Sequence, residues 1–337
     1  MSLNFQKLRD QLLFIPLGGA GEIGMNLNLY QYQGKWIIVD LGAGFADDYM
    51  PGIDMIVVDI GFISQRREDV LGIIVTHAHE DHLGAIQYLW EEIGCPVFTT
   101  KFTSNFLKAK LVEYGLSDVV PIEEVNEKEI LNLGPFAIEF VHMTHSVPET
   151  NALAITTEAG TVFHTGDWKF DSNPMVGRVS DIEALKRIGN NGVLAMVGDS
   201  TNVFTEGRSG SESEVYDDLY DSIKSCNQMV AISLFASNVA RIHTISQIAK
   251  SLGRSVVLLG RSLWRVVIAA QESGYLLDAP DFLEARESSH LPRNQILVIC
   301  TGCQGEPMAA SSRMSRNNHP LMEMHKGDLI IFSSKII

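Results

Sequence analysis

Residues 71–82 read LGIIVTHAHEDH, and this stretch carries most of the information about the fold and the chemistry. The apolar run over residues 71–75 predicts a buried strand, so the polar residues that follow lie on a loop at its carboxyl end. Four potential metal ligands fall within six residues of that loop: His77, His79, Asp81 and His82. Imidazole nitrogen and carboxylate oxygen suit borderline divalent metals such as zinc. The pattern therefore predicts a metal site and not a polar surface loop.

Two further candidate ligands also come directly after predicted strands. His145 follows the strand expected over residues 137–141, and Asp167 follows the strand expected over residues 161–164. Because both lie at strand ends, as the first cluster does, all of them could converge on one edge of a sandwich. A carboxylate there could bridge two cations ~4 Å apart, and such a pair can hold a hydroxide at neutral pH. We therefore expect a two-metal hydrolytic site.

The other histidines and one early aspartate have simpler interpretations. His164 lies on a strand beside the site, where packing or support of a metal ligand is expected. His142 has the wrong alternation to share a strand face with His145. Asp40 ends an apolar strand and could orient a ligand or form a turn. Four histidines lie far along the chain without clustered partners and are expected to be ordinary: His243, His290, His319 and His325.

The glycine-rich segment over residues 19–24 matches GxGxxG, the pattern of dinucleotide-binding proteins. That pattern requires a helix directly after it, whose N-terminus holds the pyrophosphate. The sequence shows alternation over residues 26–30, a turn at Gly34 and an apolar run over residues 36–40, which together indicate a β-hairpin. The dinucleotide interpretation therefore fails. We expect the glycines to let the backbone turn tightly before the first strand.

Strand patterns joined mainly by hairpins run through the first 200 residues and predict two stacked sheets with helices outside. From about residue 205 the pattern changes to strand–helix alternation, which predicts a parallel α/β unit. We therefore expect one domain over residues 1–204 and a second over residues 205–337. Strands are expected over residues 72–76, 97–99, 119–122, 137–142, 152–157, 161–164, 193–197, 229–235, 255–259 and 295–301. Helices are expected over residues 86–93, 104–114, 216–223, 239–251 and 263–273.

Composition excludes several classes of protein. The net charge of −15 argues against a protein that coats nucleic acid with a broad basic face. No apolar run approaches the roughly 20 residues that span a bilayer, and the N-terminus does not look like a secretion signal, so a cytoplasmic location is expected. Four cysteines are too few and too scattered for a disulfide framework. Cys300 and Cys303 form a lone CxxC, which we interpret as two small residues at a strand end.

A set of longer motifs resembles one known family over nearly the whole chain. These are PLGGAGEIGMN, VDLGAGF, THAHEDH, THSVPE, HTGDWK, GDSTN, FASNVARI, GRS and TGCQGEPMAA. Together they are similar to ribonuclease J, of the beta-CASP branch of the metallo-β-lactamase superfamily. The resemblance implies an α/β fold, in which a metallo-β-lactamase αββα sandwich is followed by a partial beta-CASP α/β domain.

The resemblance also implies roles for individual residues. His77, His79 and His145 would bind one zinc, Asp81 and His82 would bind a second, and Asp167 would bridge them. Asp40 and His164 would support the ligands. Catalytic roles fall to Asp81, His82, Asp167 and Glu212, the last of these matching an acidic motif of the beta-CASP domain. Four residues fall in segments that face the nucleic acid in relatives: Ser237, Asn238, Arg261 and Ser262.

The activity implied by the resemblance is hydrolysis of single-stranded RNA with two zinc ions per chain. Relatives combine 5′-to-3′ exonuclease and endonuclease cleavage in RNA maturation and decay, and they form dimers or tetramers. Relatives also carry two further histidines beyond the position of residue 337, one a zinc ligand and one an aid to catalysis. This chain is therefore expected to hold its second zinc poorly or to hold only one metal, and to be weakly active or inactive.

Two other functions remain open at this point. A hydrolase of a small thioester, lactone or β-lactam would share every metal ligand, but it would not need the long strand–helix region after residue 205. A binding or scaffold protein that has kept the fold without catalysis is the other alternative, and the complete ligand set argues against it.

Overall fold

The computed structural model describes residues 5–46 and 50–334. Contacts within the chain divide it into two compact units. The first unit holds the residues up to His145, then Glu149–Phe170 and Val179–Arg208; the second holds Ser146–Pro148, Asp171–Arg178 and the residues from Ser209 onward. Two short segments that follow strands of the first unit therefore belong to the second. No helix in the described part of the chain is long and apolar enough to cross a lipid bilayer.

The first unit contains two facing sheets with helices outside them. Its strands are β1 (Leu13–Gly18), β2 (Leu27–Tyr32), β3 (Lys35–Val39), β4 (Ala43–Phe45), β5 (Met55–Val57), β6 (Val70–Ile74), β7 (Val97–Thr99), β8 (Ile122–Glu124), β9 (Ile130–Leu133), β10 (Phe136–Met143), β11 (Thr150–Thr157), β12 (Gly160–His164) and β13 (Ala195–Val197). Its helices are α1 (Gly61–Ser64), α2 (Glu80–Leu83), α3 (Ile86–Ile93), α4 (Lys101–Val112) and α5 (Ile182–Asn191).

Among the described residues, one sheet has the strand order β1-β2-β3-β6-β7-β8 and the other has the order β13-β12-β11-β10-β9. Strands β3, β6, β7 and β8 run parallel, and β1 and β2 join them as antiparallel hairpin partners. In the second sheet β9 to β12 are antiparallel neighbours, and β13 pairs with β12 in parallel. A small hairpin of β4 and β5 stands apart from both sheets.

A continuous apolar core joins the two sheets face to face. Tyr30, Ile37 and Ile74 from the first sheet share one buried cluster with Phe140 and Leu153 from the second. Burying a side chain of this size stabilises the fold by about 1.5–3 kcal/mol relative to leaving it in water. The alternating apolar residues of these strands thus hold the two sheets together as a sandwich.

Helices cover the outer faces of the sandwich. Trp36 of β3 contacts Phe62 of α1 with ring centroids 5.5 Å apart, and α4 lies beside β8. On the far side of the second sheet, Ile188 of α5 packs in a cluster with Phe163 and Ala154. This αββα arrangement confirms the predicted sandwich.

The second unit is built on a parallel sheet. Its elements in chain order are α6 (Tyr216–Ser225), β14 (Val230–Ser233), α7 (Val239–Ser251), β15 (Ser255–Leu259), α8 (Arg261–Glu272), β16 (Phe282–Leu283), β17 (Ile296–Cys300), α9 (Ala310–Ser315) and β18 (Leu329–Phe332). The strand order is β16-β15-β17-β14-β18, and every described pair in it is parallel. The predicted change to a parallel α/β unit is confirmed.

Several local predictions are confirmed and two are corrected. The predicted hairpin of β2 and β3 forms, and among the described residues no helix directly follows the glycines. The glycines do not precede the first strand, however, because β1 lies before them and pairs with β2. Gly19, Gly21 and Gly24 all have positive φ and connect these two strands. The strand expected over residues 119–122 begins only at Ile122, because the amide groups of Val119 and Val120 close a turn onto Leu116.

Candidate metal centre

The loop after β6 is held in place through its backbone. The amide nitrogen of Asn26 donates to the carbonyl oxygen of Asp81 at 2.9 Å, and that of Leu41 donates to the carbonyl oxygen of His82 at 2.8 Å. Gly42 lies so close to this loop that a Cβ atom there would overlap the carbonyl oxygen of Asp81. Only glycine therefore fits at position 42. The segment after β3 thus fixes the path of the loop, and the loop in turn directs its side chains.

Three loops of the first unit bring candidate ligands together. The described residues contain a set in which His77, His79, His145 and Asp167 each offer one atom, all within 4.8 Å of one another. His77 Nε2 lies 3.0 Å from His79 Nδ1, and His145 Nε2 lies 3.3 Å from that same atom. His145 Nε2 is also 3.7 Å from Asp167 Oδ2. We call these four residues the first ligand group.

A second set, the second ligand group, consists of Asp81, His82 and Asp167. His82 Nε2 lies 3.4 Å from Asp81 Oδ2 and 3.3 Å from Asp167 Oδ1. Asp167 therefore turns one carboxylate oxygen towards each group. A shared carboxylate of this kind can bridge two cations.

The spacing of these atoms fits zinc. Four ligand atoms at 2.0–2.2 Å from a tetrahedral zinc ion lie roughly 3.3–3.6 Å from one another. The nitrogen and oxygen pairs given above lie between 3.0 Å and 3.7 Å apart, and the donors are the imidazole and carboxylate groups that zinc prefers. The side chains of the first unit thus fit a pair of divalent cations.

Asp40 supports the second ligand group from the end of β3. Its Oδ2 atom lies 2.7 Å from His82 Nδ1, so the opposite ring nitrogen of His82 faces Asp81 and Asp167. The backbone nitrogen of Thr76 donates to Asp40 Oδ1 at 2.8 Å, and the Thr76 hydroxyl contacts both carboxylate oxygens. Asp40 is completely buried and has a φ of +63°, a left-handed conformation that aspartate tolerates better than most residues. These contacts fix the orientation of the His82 ring.

Burial and charge set the protonation of the ligands. Burial is the largest effect on the histidines of the first ligand group and holds their pKa values below the usual range, to about 3 for His145. Burial also opposes the charged form of His82, but Asp81, Asp167 and Asp40 outweigh it and raise the pKa of that imidazole well above its usual value. The same neighbours act in reverse on Asp167, whose carboxyl pKa is lowered despite its burial, mainly by His82.

The comparisons with known proteins agree with this geometry. Residues 24–219 match a family model described as the metallo-beta-lactamase superfamily. The chain belongs to the metallo-β-lactamase superfamily. Residues 227–337, which lie outside that match, are similar to the family described as Ribonuclease J, beta-CASP domain. Both parts of the resemblance seen in the sequence motifs are thus found again.

Curated relatives of this superfamily member are named Ribonuclease J. The protein of that name from Sinorhizobium meliloti is 42% identical over 97% of this chain and 59% of its own length. The one from Mycolicibacterium smegmatis is 42% identical over 95% of this chain and 58% of its own length. The chain thus spans about three fifths of the length of these relatives. A crystal structure of an Enterococcus faecalis protein of unknown function has a similar fold, with a TM-score of 0.62 and 16% identity over 86% of this chain and 76% of that one.

His164 of this metallo-β-lactamase sandwich lies outside both ligand groups. Its Nδ1 atom is 2.9 Å from the hydroxyl oxygen of Tyr30, and the side chain is buried on β12. Burial lowers the pKa of the His164 imidazole to about 4. The other neighbouring histidine, His142, is also buried, with its Nδ1 3.4 Å from Glu127 Oε1. Among the described residues, neither His142 nor His164 belongs to a group of side chains that could hold a cation.

The sequence analysis did not identify two residues that hold the HxHxDH segment after β6 in place. The side-chain amide of Asn26 donates to the carbonyl oxygen of Asp81 at 3.1 Å and lies 3.2 Å from His82 Nε2. Lys110 of α4 is buried and forms an ion pair with Glu80, inside the loop itself. A lysine within the apolar face of a helix was the one available signal, since a buried lysine is almost never found without a partner.

Glu212 belongs to the second unit and is not a member of either ligand group. Its carboxylate pairs with the Arg241 guanidinium through both oxygens, and its backbone nitrogen donates to Asp171 Oδ2 at 3.3 Å. Arg241 also contacts Ser333, at the end of β18. The structure therefore places Glu212 in a partly buried ion pair, and the contacts of this pair link four segments of the second unit.

The four residues predicted to contact RNA lie at the carboxyl edge of the parallel sheet in the second unit. Ser237 and Asn238 end the loop after β14. The Asn238 side chain caps α7, because its Oδ1 atom accepts a hydrogen bond from the backbone nitrogen of Arg241 at 2.9 Å. Arg261 and Ser262 are the first residues of α8, after β15, and Arg261 is exposed. Ligands of open parallel sheets bind at this edge.

Proposed function

We propose that this chain is the hydrolytic core of a zinc-dependent ribonuclease that cuts phosphodiester bonds in single-stranded RNA. The observation that carries the proposal is the shared carboxylate of Asp167, which joins the two ligand groups into one site. The similarity to proteins named Ribonuclease J supports RNA as the substrate. Cleavage by both 5′-to-3′ exonuclease and endonuclease routes, in RNA maturation and decay, belongs to this proposal.

The two ligand groups would hold one zinc ion each. Bound there, the cations would supply a water of near-neutral pKa and neutralise negative charge that develops on the phosphate oxygens. His77, His79 and His145 are suited to binding because their lowered pKa values keep each imidazole neutral, with one ring nitrogen free to bind a cation. Asp167 would set the separation of the two positions through its two oxygens.

The residues around the ligands would keep this geometry during the reaction. Asp40 accepts a hydrogen bond from Nδ1 of His82, which turns the Nε2 atom of that ring towards the site. The side-chain amide of Asn26 donates to the carbonyl oxygen of Asp81 and so holds the backbone at that residue. In addition to these groups, a protonated side chain must donate to the leaving 3′ oxygen.

Contacts with the RNA chain itself are proposed for the second unit. Arg261 and Ser262 form the start of α8, and a helix N-terminus favours phosphate groups. Ser237 and Asn238 lie at the carboxyl edge of the same sheet, directly before α7. Glu212, predicted to be catalytic, is proposed to act through the Arg241 ion pair, since its carboxylate is bonded there. A cytoplasmic location and assembly into dimers or tetramers are further parts of the proposal.

The direct test is cleavage of a 5′-labelled single-stranded RNA by protein loaded with zinc, using this chain and a version extended to the length of its relatives. We expect the extended protein to release mononucleotides, and we expect His77→Ala to abolish the reaction. Metal analysis of the extended protein should give about two zinc ions per chain. Rapid turnover of a thioester, lactone or β-lactam without RNA cleavage would instead identify a small-molecule hydrolase.

A further inference from the structure

An exposed aromatic pair lies directly beside the candidate metal centre. Trp168 and Phe170 follow Asp167, and their ring centroids are 4.9 Å apart at an interplanar angle of 58°. The exposed fraction of Trp168 is 36% and that of Phe170 is 55%. By contrast, Trp36 and Trp90 in the same unit are almost completely buried. Large apolar groups left in water beside a site usually mark a binding surface.

The backbone fixes the position of the aromatic segment next to two of the ligands. Lys169, between the two aromatic residues, forms a β-bridge with Thr144 and donates its amide to the Thr144 carbonyl oxygen at 2.9 Å. The rings of Trp168 and Phe170 contact each other and both are exposed, so the two side chains lie on the same side of this segment. Thr144 precedes His145, so the same bridge ties the aromatic segment to two ligands of the first ligand group. The pair is therefore held at a set position and is not part of a free loop.

The distance to the cations is short enough for one nucleotide to reach both. Consecutive Cα atoms are 3.8 Å apart, and the Cα of Phe170 lies within about 11 Å of that of Asp167. A base attached to the sugar next to a phosphate at the ligand groups can therefore reach the rings. Flat aromatic faces accept any base by stacking, which suits a substrate read without base pairing.

The net negative charge of the protein disfavours binding of a nucleic acid, so contacts that do not depend on charge are needed. With a net charge of −15, the chain cannot hold a polyanion through its overall field. Stacking on aromatic rings does not depend on charge and contributes to binding at any salt concentration. We propose that Trp168 and Phe170 form a stacking surface for one nucleobase of a single-stranded nucleic acid whose phosphate lies at the two ligand groups. This inference rests on the proposed nuclease function and names a binding site for its substrate.

The test compares two oligonucleotides that differ only in their bases. A phosphorothioate RNA of uridines, which resists cleavage, and an abasic chain of the same length are titrated against the zinc-loaded protein by fluorescence anisotropy. We expect the wild type to bind the base-bearing chain about 5-fold to 100-fold more tightly. Trp168→Ala should remove most of this preference, Phe170→Ala should reduce it, and Trp168→Phe should restore part of it.

Tyr88→Ala is the matched control, because Tyr88 and Tyr114 form another exposed aromatic pair on the first unit, with ring centroids 5.5 Å apart. This variant should keep the wild-type preference. Equal binding of the two oligonucleotides by the wild type, or an unchanged preference in both Trp168→Ala and Phe170→Ala, would overturn the inference. A changed oligomeric state of Trp168→Ala with its base preference intact would also overturn it, in favour of a protein contact.

Cleavage of ordinary RNA is measured in parallel and tests the proposed function separately. If the base preference is present and depends on Trp168 but no RNA is cut, the stacking surface stands and the nuclease proposal fails. If RNA is cut with no base preference, the nuclease proposal stands and the stacking surface fails.

Discussion

The substitution Asp40→Asn isolates the support that β3 gives to the second ligand group. Asparagine has the same shape as aspartate and tolerates the left-handed φ of +63° at this position, so the backbone can stay as it is. The change removes the negative charge and leaves one oxygen as an acceptor. Thr76 can keep that oxygen through its backbone nitrogen. His82 then faces an amide NH₂ group in place of a carboxylate.

The size of the effect follows from one hydrogen bond. Asp40 Oδ2 lies 2.7 Å from His82 Nδ1, and both side chains are buried. A hydrogen bond to a charged group contributes about 1.5–3 kcal/mol. Since about 1.4 kcal/mol corresponds to a factor of ten, the second ligand group should lose roughly 10-fold to 100-fold in zinc affinity. The first ligand group should change much less, because within the described part of the chain the side-chain bonds of Asp40 go to His82 and Thr76, which are not members of that group.

The assay is a zinc titration in the presence of a chromophoric chelator, which resolves a tight and a weaker binding step. Asp69→Asn serves as the control, since Asp69 is an exposed carboxylate before β6 that pairs with Lys35. Exposed pairs of this kind contribute about 0–1 kcal/mol and should not alter zinc binding. Equal zinc affinities of Asp40→Asn and the wild type at both steps would refute the role assigned to Asp40.

Three further outcomes can be measured. Nearby carboxylates raise the pKa of His82 although its burial acts to lower that pKa, so protons compete with zinc for this ring. The zinc affinity of the second ligand group should therefore rise between about pH 6 and about pH 8. The first ligand group, whose histidine pKa values are lowered, should show a flat profile by the same titration. Lys110→Met should destabilise the fold by about 1–3 kcal/mol in urea unfolding, while Lys108→Met on the same helix, whose ion pair is exposed, should cost about 0–1 kcal/mol. Gly42→Ala should displace the loop that holds Asp81 and lower the zinc content of the protein. Gly189→Ala is the control, since position 189 on α5 has open space around it, and this change should stabilise the protein by about 0.5–1 kcal/mol. Equal zinc contents in Gly42→Ala and the wild type would contradict the close approach at position 42.

The elements whose signals are local could be predicted well from the sequence. The helix α3 has the expected bounds, and it ends because Gly94 adopts the left-handed conformation at its C-terminus. The helix α7 also has the expected bounds, because Asn238 caps its first turn. Short elements such as β9 and α2 were missed, since three or four residues carry too little periodicity to stand out.

The candidate ligands were also visible in the sequence, because HxHxDH places its donors within one loop and the motifs around His145 and Asp167 resemble a known family. Their arrangement was not visible. Asp167 turns one oxygen to each ligand group only because β6, β10 and β12 end at the same edge of a sandwich. That convergence depends on the packing of the two sheets against each other, which brings together side chains as far apart in the chain as His77 and Asp167. No local pattern in the sequence encodes this packing.

The sequence by itself determined which chemical groups are present and where they lie along the chain. It places imidazoles and carboxylates at strand ends and a glycine where the backbone packs closely against a loop, and it changes from hairpins to parallel strands. Tertiary structure alone decided which groups meet. Asn26 reaches Asp81, and Lys110 reaches Glu80, across 55 and 30 positions. The physical reason is that a buried polar group needs a partner, and packing of the sheets and helices determines which distant partner is within reach.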